Sequence, residues 1–199
     1  MKKLICILTL VILVGGCTNP SYFRQNLQFT PRGWAKIAVL PFSGDVRFTQ
    51  EATDTFNLHL LEQNGFILIE PVTVEYALNK IAVASNSENA ISILQAQQIG
   101  EIVKADAVFI GNVTSYTNGF SMNGFSTVKL IDTKTGTIIA ASHKPSGLLM
   151  AYSEHQCAVK AVERTAKDML KALKGLCIKN IAKPAVSPLE LFNKNEKML

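Results

Sequence analysis

Three short, continuously apolar runs constrain this chain more than anything else in it. Lys36-Ile-Ala-Val-Leu-Pro-Phe42 closes at Pro41, Phe66-Ile-Leu-Ile-Glu70 ends against Pro71, and Ala105-Asp-Ala-Val-Phe-Ile-Gly-Asn-Val-Thr114 is apolar on both sides of its alternation. A strand solvated on one face alternates apolar with polar residues, whereas an unbroken apolar run belongs to a strand buried on both faces. The intervening stretches carry helical period. Thr49 to Asn64 places Ala52, Phe56 and Leu60 four apart before the stop signal Asn64-Gly65. Val72 to Val83 predicts a second helix, and Ala90 to Lys104 a third, with Ile91, Leu94, Ile102 and Val103 on one side and three glutamines on the other. Buried strands joined through helices lie parallel.

The second half changes character. Phe125 to Asp132 and Thr137 to His143 flank Thr133-Lys-Thr-Gly136, a short connection whose glycine can take positive φ, so these segments predict an antiparallel hairpin. Ser153 and Gln156 stand in the spacing of a capping box, each side chain placed to satisfy the other's free backbone N–H. Ala158, Val162, Thr165, Met169 and Leu173 then keep one apolar face, and Gly175 predicts the end of that helix. The expected order is β-α-β-α-α-β-β-β-α: an α/β fold with a mixed sheet of about five strands and helices packed on it.

With 199 residues the chain holds one domain and its appendages, which excludes a multidomain enzyme. Apolar residues at 48% against 18% charged exclude an intrinsically disordered chain, and four cysteines are too few for a disulfide scaffold. The formal net charge of +5 is unevenly spread. Residues 17 to 159 are slightly acidic at −2, and residues 160 to 199 carry +5. This argues against nucleic acid as a partner. Lys160, Arg164, Lys167, Lys171 and Lys174 on the last helix read as a solvated face, with contact to anionic lipid or cell-wall polymer as the alternative.

The amino terminus is an address. Lys2-Lys3 precedes an eleven-residue run from Leu4 to Val14 that only Thr9 interrupts, the charged and apolar regions of an export signal and too short for a permanent span. Val14-Gly15-Gly16-Cys17 then resembles the lipobox of bacterial lipoprotein precursors, which implies cleavage between Gly16 and Cys17 and acylation of Cys17 as an N-palmitoyl, S-diacylglycerol cysteine. Several acyl chains hold a protein at a membrane, at about 0.8 kcal/mol per buried CH₂. Thr18 takes the place of the Asp that favours inner-membrane retention in such lipoproteins, which points to the outer membrane, facing the periplasm. The implied division is a signal peptide at 1–16, a lipidated cysteine and flexible tether at 17–34, a folded domain at 35–177 and a polar tail at 178–199, with a short helix plausible from the signature Ser187-Pro188-Leu189-Glu190. As a tether, residues 18 to 33 reach about 55 Å when fully extended.

Ile37 to Phe42, Asn64-Gly65-Phe66 with Ile67 to Glu70, Ile99-Gly100-Glu101 with Ala105 to Thr114, and Val128 to Gly136 together resemble the CsgG, LpoB and TolB amino-terminal-domain group of periplasmic proteins. The resemblance spans residues 36 to 175. It implies a non-enzymatic, TolB amino-terminal-domain-like fold that binds other envelope proteins and assists envelope assembly or secretion, with a homo-oligomer also admitted. CsgG-like pores need an added membrane hairpin of about 20 residues, and Ala84 to Asn89 and Tyr116 to Gly124 are too short for one. An LpoB-like activator of a peptidoglycan synthase, a penicillin-binding protein, is the alternative, and an envelope hydrolase a remote one.

No cofactor, metal site, catalytic residue or small-molecule substrate is expected. His59, among Leu58, Leu60 and Leu61, reads as a structural histidine; His143 and His155 complete the set. His155 and Cys157 are two apart on a helix, about 200° around its axis, and cannot pair as base and nucleophile. Two histidines and one free cysteine, scattered without the usual paired spacing, are too little for zinc. Cys157 and Cys177 stand about 30 Å apart along a continuous helix, beyond disulfide reach. Asp132 reads as a cap for backbone N–H groups at the hairpin turn. The loop Lys144 to Tyr152, with Leu148, Leu149 and Met150, either covers the core or presents an apolar patch to a partner.

Overall fold

The chain builds one mixed sheet with its last helix laid along one face. The computed structural model describes residues 21–29, 34–62, 65–81, 90–118, 121–147 and 153–181. The signal peptide, Gly16 and Cys17, the segment 84–89, most of the apolar loop (148–152) and the tail from 182 onward, with its short helix, lie outside them. The strands are β1 (Tyr22–Gln25), β2 (Lys36–Val39), β3 (Ser43–Gly44), β4 (Ile67–Leu68), β5 (Ala107–Asn118), β6 (Ser121–Asp132) and β7 (Ile138–Pro145); the helices are α1 (Thr49–Leu61), α2 (Pro71–Lys80), α3 (Ile93–Val103) and α4 (Glu154–Ile181).

The strand order is β1-β7-β6-β5-β2-β4, with β3 beside β5. The predicted parallel half is β2 with β4 and β5. The predicted antiparallel half is β5-β6-β7, extended by β1. The sheet has seven strands rather than about five, the additions being β3 and β1. β3 has only two residues and borrows its pairing from β5. β1 lies inside the segment read as a tether: Tyr22 to Gln25 pair with His143 to Ala140, and Phe23 packs against the core. The folded part therefore begins before residue 35. A strand of four residues shows no measurable period by itself, and β1 forms because β7 offers an unpaired edge.

Alternation along β2 sorts the core into two layers. Ile37 and Val39 point to α1 and α4, whereas Ala38 and Leu40 join Val108 and Ile131 beneath α2 and α3. On α1 the predicted Ala52, Phe56 and Leu60 are buried. On α3 the face differs from the expected one: Leu94 is 65% exposed, and Ala96, Ile99, Gly100 and Val103 are inward. The small pair Ala96 and Gly100 lets the helix approach Thr133, which a side chain at Gly100 would meet within 3 Å. Ser92 and Gln95 form a capping box at its start.

α4 begins with the predicted box, Gln156 N–H donating to Ser153 Oγ at 3.2 Å and Ser153 N–H to Gln156 Oε1 at 3.1 Å. Its predicted apolar face is buried throughout. The helix runs through Gly175 to Ile181 instead of stopping. Glycine costs a helix interior about 1 kcal/mol, less than burial of Leu176, 2% exposed in the core, returns. The continuous helix keeps Cys157 and Cys177 apart, and Cys157 is a free, buried thiol.

Candidate functional site

The two faces of the sheet are covered unequally. On the α4 face, β6 turns Ser126, Val128 and Leu130 inward, and β7 turns Ala140 and Ser142. Ser126 bonds Thr165 at 3.1 Å, and Ser142 Oγ donates to Asp168 at 2.9 Å. Lys144 Nζ lies 3.0 Å from the same carboxylate. This polar seam fixes the helix on the sheet, because a buried carboxylate left without donors costs several kcal/mol. Gly124 brings α4 closest: a Cβ there would sit 2.4 Å from the Cys157 carbonyl carbon.

On the opposite face α2 and α3 cover only the region around Leu40, Val108 and Ile131. Among the described residues no helix lies over the remainder, where four rings cross four strands. Tyr22 of β1 stacks on His143 of β7 with ring centres 5.4 Å apart, His143 on Phe125 of β6 at 5.7 Å, and Phe125 on Tyr116 of β5 at 5.6 Å. All three pairs lie within 17° of parallel. His143 Nδ1 shares a 2.8 Å hydrogen bond with Thr127 Oγ1. The register produces this ladder: Tyr22 is opposite His143, His143 opposite Thr127, and Phe125 opposite Thr114, so same-face neighbours fall on a diagonal. Beside it a depression of about 120 Å³ is bordered by Ile110, Asn112, Thr127 and Lys129. That volume takes a side chain or a few waters and falls short of the ~300 Å³ of a small-molecule site.

A second polar cluster ties the far end of the β5–β6 hairpin to α4. Arg47 pairs with Asp45 at 2.7 Å and with Glu154 at 2.9 Å. Thr117 donates to Glu154 at 2.5 Å, and Ser115 Oγ to the Glu154 carbonyl at 3.2 Å. The Arg47 hydrogen bond holds the Asp45 carboxyl below its ordinary range; the Thr117 hydroxyl, then Arg47, do the same for Glu154. His155 contacts Glu51 of α1. Its neighbour Cys157 faces inward, Sγ 3.6 Å from the Met122 carbonyl, so the two do not meet. His59 stays on its own helix beside Glu62. Asp132 takes the capping role, accepting from Thr135 N–H at 2.9 Å, and also receives Trp34 Nε1–H at 3.3 Å. Among the described residues no group of three or more His, Cys, Asp or Glu is placed to hold a metal, and no helix is long and apolar enough to cross a membrane.

Sequence reading found the capping and turn residues and missed the ladder. Tyr22, Tyr116, Phe125 and His143 are scattered over about 120 positions, and only the pairing register places them side by side. The hairpin alone carried a signal, since its register puts Phe125 and His143 on one face.

Fold and site together define a mixed α/β sheet domain with one face closed by a long helix and the other half open. No family model matches the chain, and no curated protein does. Among solved structures it is similar to the LpoB C-terminal domain from Salmonella enterica, at 18% identity and a TM-score of 0.47, over 60% of this chain and 85% of that one. It is also similar to a PelC dodecamer from Paraburkholderia phytofirmans, at 14% identity and a TM-score of 0.46, over 75% and 97%. Lipoprotein GNA1162 from Neisseria meningitidis gives 17% and 0.46 over 76% and 99%. LpoB is also one of the names in the group that the strings around Ile37 and Asp106 resemble.

Proposed function

We propose that the protein is a lipid-anchored, non-enzymatic component of the bacterial envelope that binds another envelope protein through the open face of its sheet. The stacked ladder is the observation that carries this reading. Its inner rings are turned face to face, so they offer edges, and neither a sugar nor a base finds a free ring face between Tyr22 and Tyr116. Ring edges, a phenol at each end, and Thr127, Lys129 and Asn112 alongside make the mixed apolar and polar surface that protein interfaces use. The anchor is Cys17, cleaved after Gly16, with the outer membrane as its site and the periplasm as the domain's compartment.

The synthase-activator alternative fits less well. With β1 beginning at Tyr22, only five residue steps separate the sheet from Cys17, a reach of about 17 Å. A tether of that length leaves the domain beside its own membrane.

The test is photocrosslinking in intact cells from a reactive residue at Lys129, with Lys171 on the outer side of α4 as the control. One envelope protein captured from position 129 and absent from 171 is the expected outcome. Equal capture from both positions removes the open face from consideration, and a penicillin-binding protein as the main product favours the alternative.

A further inference from the structure

We infer that the outermost described rungs of the β5–β6 hairpin, around Tyr116 and Met122, are the membrane-contacting surface of the domain, and that its partner is the neutral interfacial layer of the bilayer. This rests on the reading of Cys17 as the lipidated residue and adds to it a fixed orientation. Three observations lead there.

The first is direction. β1 runs antiparallel to β7, with Tyr22 opposite His143 and Gln25 opposite Ala140, so the chain before Tyr22 leaves the sheet past Lys144 and Pro145. Through β7 and β6 the same direction leads along β5 from Asn112 toward Asn118, the hairpin's end. Anchor and hairpin end therefore lie at one end of the sheet.

The second is length. The row holding Tyr22, His143, Thr127 and Asn112 is six residues short of Asn118, about 20 Å along the strand. The five steps from Tyr22 back to Cys17 span at most about 17 Å. A lipid held on so short a leash brings the bilayer to the level of the hairpin end. β7 stops at Pro145 opposite Phe125, and β3 pairs β5 only at Asn112 and Val113, so the last rungs of the hairpin stand beyond the rest of the sheet.

The third is chemistry. The projecting rungs expose Tyr116 on the open face, 48% accessible, and Met122 on the other, 40% accessible. A tyrosine and a thioether suit the headgroup boundary, where one end of a side chain is apolar and the other wet. The charges at this end are paired, Arg47 with Asp45 and Glu154, and Glu51 with His155. The exposed Lys171 and Lys174 are in the other half of α4, with Lys171 some 25 Å from Glu154 along the helix axis; of the basic residues in the first half, Lys160 pairs with Glu163 and Arg164 donates to the Pro145 carbonyl. The contact at Tyr116 and Met122 is therefore apolar and insensitive to salt, and the far end of the basic stripe, Lys171 and Lys174, lies away from the membrane.

The single tryptophan provides an internal control. Trp34 is bonded to Asp132, ten residues along β6 from Met122 and about 33 Å away. The full acylated chain is reconstituted into phosphatidylcholine vesicles whose acyl chains carry bromine, a short-range quencher of indole emission, after its mass has established the acylation. The native protein keeps its emission, whereas Met122→Trp loses most of the added emission, and does so equally in high salt. Tyr116→Trp, read in the same way, covers the case in which Met122→Trp does not fold. An acylated chain with both added tryptophans unquenched overturns the inference and leaves the anchor intact. Quenching of Trp34 as strongly as position 122 overturns the orientation. A mature chain without acyl mass removes the anchor reading and this inference with it.

Discussion

The two faces of the sheet are built from the same strands and stabilised differently. Toward α4 the sheet is closed by a helix of 28 residues, with Phe42, Phe56 and Phe109 interlocked beneath α1 and a buried polar seam fixing the helix's position. Toward the other side, past the reach of α2 and α3, rings from four strands cover the sheet without any helix among the described residues. The difference teaches that a sheet face can be shielded at low energetic cost while staying accessible. One face specifies the fold, and the other keeps its ring edges accessible.

Truncation separates them most sharply. Phe56 is fully buried and touches two other rings; Phe56→Ala is expected to lower stability by about 3–5 kcal/mol in urea unfolding. Asp168→Ala strips Ser142 and Lys144 of their partner in the seam, with an expected loss of about 2–4 kcal/mol. Gly124→Ala forces β6 away from the α4 backbone and is expected to cost about 1–3 kcal/mol. Phe125→Ala, in the ladder, costs only about 1 kcal/mol by the same measurement, while abolishing crosslinking from Lys129. A Phe125→Ala loss as large as that of Phe56→Ala would erase the distinction between the faces. The smallest effect is in acid. Asp45 and Glu154 have lowered carboxyl pKa values in the folded state, so their contribution is complete above the unfolded range near pH 4 and is lost as pH falls below it. Glu154→Gln flattens that part of the stability curve, measured by thermal melts across the acid range, by lowering the neutral value slightly while leaving the most acidic value unchanged.

The covered face was legible in the sequence, and the open one was not. Ile37 to Leu40, Phe56 and Leu60, and Ala158 to Leu173 announce their burial through local period, because each element buries a whole side. Ser153 with Gln156, and Asp132 with Gly136, are local chemistry in which spacing is the structure. β1 failed that test: Tyr22 to Gln25 is too short for a period, and its strand conformation is imposed by an edge formed far along the chain. The same holds for the ladder, whose four members acquire meaning only from register. Leu94 misled because α3 packs through Ala96 and Gly100, where small size rather than hydrophobicity decides the face. Gly175 misled because a helix stop signal yields to a deeply buried Leu176 one residue on.

The placement of β1 also has a kinetic consequence. Tyr22 and His143 stand about 120 positions apart, and closing so long a loop is slow relative to forming the local β5–β6–β7 meander. β1 must therefore stay unpaired until β7, its partner strand, has formed. This strand is the last stitched into the sheet, and protection of its amides in a refolding experiment should lag behind that of β6.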